Sequence, residues 1–190
     1  MKSSNLVLGL LPWILFSFLT RQMGAGTVGW AALGACLICL VLTIRAACSD
    51  GLTTIDVVGV VTFGSLAATG LLGSDHIRHL LADYGRAGAA YLLAAVMLVS
   101  VLTVPFTEQY ARVSVDRRYW KNPAFRSVNR RISLLWSAVV LGAALCHTLA
   151  GALGTNTLLL NWLLPALLGF LALRQTKAIA HRAGAAHPEP

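Results

Sequence analysis

Three polar side chains within long apolar stretches are the first candidates for chemistry. Asp56 is the only acidic residue in such a stretch, and His147 and Asn161 lie in two later ones. An ionisable group inside a membrane-spanning helix is a functional candidate by default, because burying it is costly. The carboxylate could bind a proton or an ion, and the histidine could bind a metal or haem. We therefore take Asp56, His147 and Asn161 as one candidate intramembrane polar site.

Each of these residues also has a structural interpretation, which the sequence favours. Thr53 and a second threonine precede Asp56, so the carboxylate falls in the first turn of a helix, where it suits a cap and the helix dipole. His147 lies beside small residues at i, i+4 spacing, which is typical of a hydrogen-bonded histidine at a helix contact. The motif His76-x-x-His79 lacks acidic or cysteine companions. The sequence therefore predicts no catalytic residue, no metal site and no cofactor.

One long polar segment, residues 106–131, interrupts the apolar stretches and is named here the basic loop. It reads FTEQYARVSVDRRYWKNPAFRSVNRR and has seven cations against two anions, a net +5 of the chain's +8. Pro123 predicts a break between an early helical piece and a later one. The candidate lipid- or partner-binding residues are Arg112, Arg117, Arg118, Tyr119, Trp120, Lys121, Arg126, Arg130 and Arg131.

Three roles are open for the basic loop. It could fix the topology by lying against anionic headgroups, where each cation contributes about 1 kcal/mol and aromatic rings prefer the interface. It could also dock a cytoplasmic protein, or hold the phosphate of a lipid. We favour the first role and expect no nucleic acid, because this mixture of basic and aromatic residues is usual on inner-leaflet loops.

Composition assigns these residues to a membrane protein. The 190-residue chain is 57% hydrophobic and only 12% charged, and its mean hydropathy is +0.72. A soluble domain has about 25% charged residues. A soluble enzyme and a DNA-binding domain are therefore excluded. Cys36 and Cys39 lie within one apolar stretch, where we favour helix packing over redox chemistry.

Six apolar stretches are long enough, or nearly so, to cross a bilayer, which needs roughly 20 residues. Because backbone groups cannot stay unpaired in hydrocarbon, each stretch must be helical. The predicted fold is an all-α polytopic bundle forming one integral membrane domain over residues 1–190, with a polar tail at 174–190. The first stretch could be a cleaved signal, but we favour a retained span, and Pro165 should bend the last helix. The predicted spans are residues 5–20, 26–44, 55–73, 87–105, 132–153 and 157–173.

The placement of lysine and arginine predicts the orientation. With six spans and a cytoplasmic N-terminus, twelve of the fifteen basic residues lie on the cytoplasmic side, most of them in the basic loop. Cytoplasmic segments carry the excess of these residues. Both termini are therefore expected in the cytoplasm, in a multi-pass protein of the inner (plasma) membrane.

Three segments carry a resemblance to a known family. They are residues 10–16 (LLPWILF), residues 125–129 (FRSVN) and residues 132–141 with Trp136. In these segments the chain resembles the intracellular septation protein A family of small bacterial inner-membrane proteins, which usually have about five spans. The resemblance implies a role in cell-envelope maintenance or septation through membrane partners, and it brings no catalytic residues.

The sequence thus favours a non-enzymatic inner-membrane protein. Its expected partners are anionic membrane lipids, envelope or division membrane proteins, and a second copy of the chain. A transporter of a small molecule, ion or lipid, and an enzyme acting on lipid-linked phosphate, are the alternatives. A wet cavity contacting both Asp56 and the loop arginines would favour an alternative, whereas a packed bundle would favour the first function.

Overall fold

The described part of the chain folds into seven α-helices. The structure is a computed structural model and describes residues 3–22, 24–48, 51–113, 115–154 and 158–186, and no strand occurs among them. The predicted all-α class is therefore confirmed. The helices are α1 (Ser3–Gln22), α2 (Val28–Cys48), α3 (Thr54–Leu72), α4 (Asp75–Ser100), α5 (Phe106–Arg112), α6 (Pro123–Ala152) and α7 (Leu164–Ala186).

Four helical segments are long and apolar enough to cross a membrane: Ala25–Cys48, Thr54–Leu72, Pro123–Ala152 and Leu159–Arg182. By length and composition, the chain therefore has the helices of a membrane protein. The first predicted span corresponds to a shorter apolar helix, Gly9–Thr20. The fourth predicted span, residues 87–105, does not reach residue 105, because α4 ends at Ser100. The first half of α4 is charged, and α4 is not among the four segments. The structure thus supports four of the six expected spans.

Neighbouring helices pack through small residues and a few large aromatic rings. The main pairings are α2 with α3, α4 with α6, and α6 with α7. At the crossing of α2 and α3, a Cβ added to Gly29 would lie 2.7 Å from the carbonyl carbon of Gly70. Phe16 and Phe63 are fully buried, and their ring centroids are 5.2 Å apart. The core is thus centred between α1, α2 and α3, with α4 beside it.

A π-helical turn, Leu159–Leu163, leads into α7 immediately before Pro165. Proline has no N–H to give to the carbonyl of the residue four positions earlier, so the regular α-helical pattern is interrupted there. The wider π turn absorbs this interruption, as π turns inserted in helices commonly do. Asn161 is buried within that turn, and the bend expected at Pro165 stays a prediction.

Candidate functional site

The short helix α5 comprises the first seven residues of the basic loop. Phe106 and Tyr110, four positions apart, lie on one buried face, and Thr107, Glu108 and Ala111 are also buried. Residues at i and i+4 share a helix face, which explains why the two aromatic rings enter the bundle together. The beginning of the basic loop is therefore an integral part of the fold. We call the part of the bundle around it the α5 end.

Hydrogen bonds from Thr107 fasten α5 to α6. The Thr107 hydroxyl donates to the backbone carbonyl of Asn129 at 2.8 Å, and its backbone N–H donates to the Ser133 hydroxyl at 3.3 Å. The two hydroxyl oxygens are 2.8 Å apart, so the Ser133 hydroxyl is left to donate to Thr107. Thr107 and Ser133 are fully buried. Such bonds compensate for burying these polar groups and set the position of α5 along α6.

Glu108 is a fully buried carboxylate at the centre of this junction. Arg112 donates from Nη2 to one oxygen at 2.6 Å, and Arg126 Nε lies 4.0 Å from the other oxygen. The Arg112 guanidinium also stacks on Trp120, 4.9 Å from the ring centroid, and Arg117 lies 5.4 Å from the same centroid. Arg112 and Arg126, two of the predicted loop arginines, therefore offset the charge of Glu108, which is one of the two anions counted in the basic loop.

Asp56 lies at the start of α3, where it forms a reciprocal capping box with Thr53. Asp56 Oδ2 accepts from the Thr53 hydroxyl at 2.6 Å and from the Thr53 backbone N–H at 3.2 Å. The Asp56 N–H in turn donates to the Thr53 hydroxyl oxygen. Thr53 is thus the N-cap of α3, and the expected capping role of the segment before Asp56 is confirmed. Both lone-pair directions of the carboxylate oxygen in this box are thus used to start a helix.

Tyr110 and Gln109 connect this helix start to α5. Because the Thr53 hydroxyl donates to Asp56, the Tyr110 hydroxyl at 3.2 Å donates to Thr53. Gln109 Oε1 accepts from the Thr54 backbone N–H at 2.8 Å. Burial, with a smaller contribution from Asp56, raises the pKa of Tyr110 to about 12. The α5 end is therefore one connected polar cluster that joins α3, α5 and α6.

The remainder of the basic loop lies outside this cluster and presents most of its cations to the surroundings. Asp116 accepts from the Arg118 N–H and caps a 3-10 turn, Arg117–Tyr119, while Trp120 Nε1 donates to the Val115 carbonyl at 2.9 Å. These bonds give the surface a defined shape. We name as the basic surface the exposed residues Arg117, Arg118, Tyr119, Lys121, Arg126, Arg130 and Arg131.

His147 and Asn161 meet, but far from Asp56. Asn161 is in hydrogen-bonding reach of the His147 side chain, and Arg86 lies close enough to act on it electrostatically. His147 is fourteen residues beyond Ser133 on α6, which is about 21 Å along a helix. The predicted polar site therefore divides into two places. Arg86, which directly precedes the predicted span at residues 87–105, is buried in α4.

Neither place holds a recognisable metal site. Within the described ranges, no group of three or more His, Cys, Asp or Glu side chains is arranged to hold a metal ion. The polar partners of His147 are an amide and a guanidinium, and a guanidinium cannot act as a metal ligand because it carries only donors. The arrangement around His147 is suited to hydrogen bonding within the bundle.

A groove of about 600 Å³ opens at the α5 end, between the start of α3, the end of α4 and α5. Its polar boundary includes Thr54, Gln109 and Arg112, and its apolar wall includes Ala95, Val96 and Val99. Asp56 does not line this groove. The structure thus brings one loop arginine, but not the intramembrane carboxylate, to the edge of a cavity.

The fold and the α5 end together define an all-α membrane protein with a buried ionic junction beneath a basic surface. No protein-family model, curated protein or solved structure matches this chain. The resemblance to the intracellular septation protein A family therefore stays a prediction, and the function has to be argued from the geometry.

Proposed function

We propose that this chain is a non-enzymatic inner-membrane protein that acts in cell-envelope maintenance or septation by docking membrane partners on its basic surface. The observation that carries the proposal is the buried pair of Glu108 and Arg112. The pair lies within α5 and orients Arg112 toward Trp120, while the Thr107 bonds hold α5 against α6. A partner would therefore meet a surface whose shape is already set, which lowers the entropy lost on binding.

The charge distribution supports a cytoplasmic position for this surface. The cations at 117, 118, 121, 126, 130 and 131 are exposed, and segments rich in lysine and arginine stay on the cytoplasmic side. Residues 1–2 and 187–190 lie outside the described residues, so the cytoplasmic placement of the chain ends rests on the sequence alone. The resemblance supplies the cellular process, and the basic surface supplies the means of binding.

The alternatives of transport and of chemistry on lipid-linked phosphate have less support. Either would be favoured by a cavity that Asp56 shares with the loop arginines. Asp56 instead belongs to a capping box, and the groove beside it contains Arg112 alone of the loop arginines. His147, which Asn161 contacts, lies about 21 Å along α6 from Ser133 at the α5 end. The separation of these groups favours docking over a continuous path or a reaction centre.

The proposal is tested by photo-crosslinking in living cells. A crosslinking side chain replaces Arg118 on the basic surface, and the control carries it at His76, an exposed residue at the start of α4. We expect a defined membrane protein of the envelope or division machinery to be captured from position 118 but not from position 76. Capture of lipid alone at position 118, or of the same protein from both positions, would contradict the docking function.

A further inference from the structure

The groove beside α5 has two chemically different ends. One wall consists of Ala95, Val96 and Val99, which lie on one side of α4 near its C-terminal end. The other boundary contains Thr54, Gln109 and Arg112. Its volume of about 600 Å³ is in the range of pockets that hold small ligands, roughly 300–1,000 Å³. A ligand that fills the groove must therefore be apolar along its length and polar at one end.

Arg112 determines the charge that the polar end would accept. Gln109 is occupied, since its amide donates to Thr54 and its oxygen accepts from the Thr54 backbone. Arg112 uses Nη2 for Glu108 and its Nε is buried, while the side chain as a whole remains about one-third exposed at 34%. A guanidinium has five donors and suits the paired oxygens of a phosphate.

The surrounding charges also favour an anion. Arg117 stacks on the same Trp120 ring as Arg112, and Arg126 approaches Glu108 from the other side. Two arginines therefore approach one carboxylate and a third lies on the neighbouring ring, so positive charge is in excess in this part of the basic loop. The apolar wall is open to the surroundings of the bundle, since Leu98 and Val99 are both more than half exposed on α4. An amphipathic anion would reach the groove from the bilayer.

We propose that this groove binds one anionic phospholipid, with its phosphate on Arg112 and an acyl chain along Ala95, Val96 and Val99. The site differs from the basic surface, because it is a cavity for a single lipid and not an extended attraction to headgroups. The proposal does not depend on the docking function, which concerns protein partners on exposed residues. A saturable stoichiometry of one lipid per chain is expected.

The first test fills the groove without altering any charge. The full-length protein in detergent is titrated with phosphatidylglycerol and, separately, with phosphatidylcholine, and bound lipid is counted by native mass spectrometry. Val99→Trp should weaken the phosphatidylglycerol complex at least about tenfold, because the indole occupies the acyl-chain wall. Leu98→Trp is the matched control, since Leu98 is equally exposed on α4 but does not line the groove. It should bind like the parent protein.

The second test removes the charge without leaving a buried carboxylate unpaired. The double variant Glu108→Gln, Arg112→Gln replaces both members of the pair with neutral side chains. Loss of a charge-assisted hydrogen bond to phosphate should weaken phosphatidylglycerol binding about tenfold. Glu108→Gln alone should bind this lipid at least as tightly as the parent, because Arg112 then has no competing carboxylate. This opposite response separates recognition by Arg112 from general damage to α5.

Further measurements identify the ligand and can overturn the proposal. Millimolar inorganic phosphate and raised salt should not displace the lipid, since the acyl chain anchors it. Displacement by inorganic phosphate would mean that the site binds the free anion instead. Equal binding of phosphatidylcholine, or equal losses in Val99→Trp and Leu98→Trp, would mean that the groove does not select an anionic phospholipid. Parent-like binding by both Val99→Trp and the double variant would also refute it.

Discussion

The ion pair between Glu108 and Arg112 allows a quantitative test of how much this pair within α5 contributes to the stability of the protein. Arg112→Gln removes the group that donates to Glu108 at 2.6 Å and leaves Arg126 Nε as the nearest described cation, at 4.0 Å. Removing one member of a buried pair costs about 3–5 kcal/mol, because the remaining charge is buried without compensation. Since the Arg112 side chain is 34% exposed, solvent screening reduces the expected loss of unfolding free energy to about 3 kcal/mol.

The assay is thermal unfolding of the detergent-purified protein. For a chain of this size, a loss of about 3 kcal/mol corresponds to a fall in Tm on the order of 6–12 °C. The double variant Glu108→Gln, Arg112→Gln should be more stable than Arg112→Gln, with a coupling energy of about 1–3 kcal/mol. The control is Arg118→Gln, which breaks a solvent-exposed pair with Asp116 at 3.6 Å and should cost less than about 1 kcal/mol.

One result would refute this reasoning directly. If Arg112→Gln lowers the Tm no more than Arg118→Gln does, the pairing of Glu108 with Arg112 does not stabilise α5. A double variant as unstable as Arg112→Gln alone would lead to a different conclusion. The loss would then come from the packing of the arginine stem on Trp120, which both variants remove, and not from the stranded charge.

Three further predictions concern packing, pH and topology. Gly29→Ala should destabilise the protein by about 1–3 kcal/mol, because the new Cβ would meet the backbone of α3 at 2.7 Å. Gly34→Ala, where the new Cβ would meet nothing within 4 Å, should be neutral or stabilising in the same unfolding assay. Stability should fall between about pH 10 and pH 12, since the Tyr110 phenol ionises near pH 10 in the unfolded chain and near pH 12 in the folded protein. Tyr110→Phe should flatten that decline. A reporter active only outside the cytoplasm should be silent when it follows Pro190, and activity there would reverse the predicted orientation.

Local signals in the sequence were sufficient to predict the helix class and several helix ends. The threonine before Asp56 does cap α3, and Pro123 does begin α6, with Asn122 as the N-cap that accepts from the Ala124 N–H. Capping depends on side chains within a few residues, so it can be recognised without tertiary structure. Hydropathy likewise identified the four segments that can cross a membrane. These features depend on short stretches of sequence alone.

The polar interior could not be predicted in the same way. Glu108 and Arg112 have the i, i+4 spacing of an ion pair, and Phe106 and Tyr110 have the same spacing on the aromatic side. This pattern was the available signal for a buried amphipathic turn. The burial of Glu108, however, depends on the packing of α5 against α6, which begins only at Pro123. Arg86 is a similar case, because its burial results from contacts between α4 and helices that follow later in the chain.

The cost of the α5 junction gives a physical reason to regard the position of the basic surface as functional. A helix of seven residues is too short to be stable by propensity, so its tertiary contacts must hold it in place. An apolar contact could do this without the cost of desolvating a carboxylate and an arginine. The ion pair instead specifies direction: Glu108 must face Arg112 and Arg126, and Arg112 must then stack on Trp120. This chain of contacts transmits the position of a buried helix to the exposed arginines. If docking depends on it, a neutral apolar replacement of both Glu108 and Arg112 should preserve stability yet reduce crosslinking of the partner from position 118. Undiminished crosslinking in a stable variant would show that the partner recognises charge alone, without regard to the position that α5 imposes.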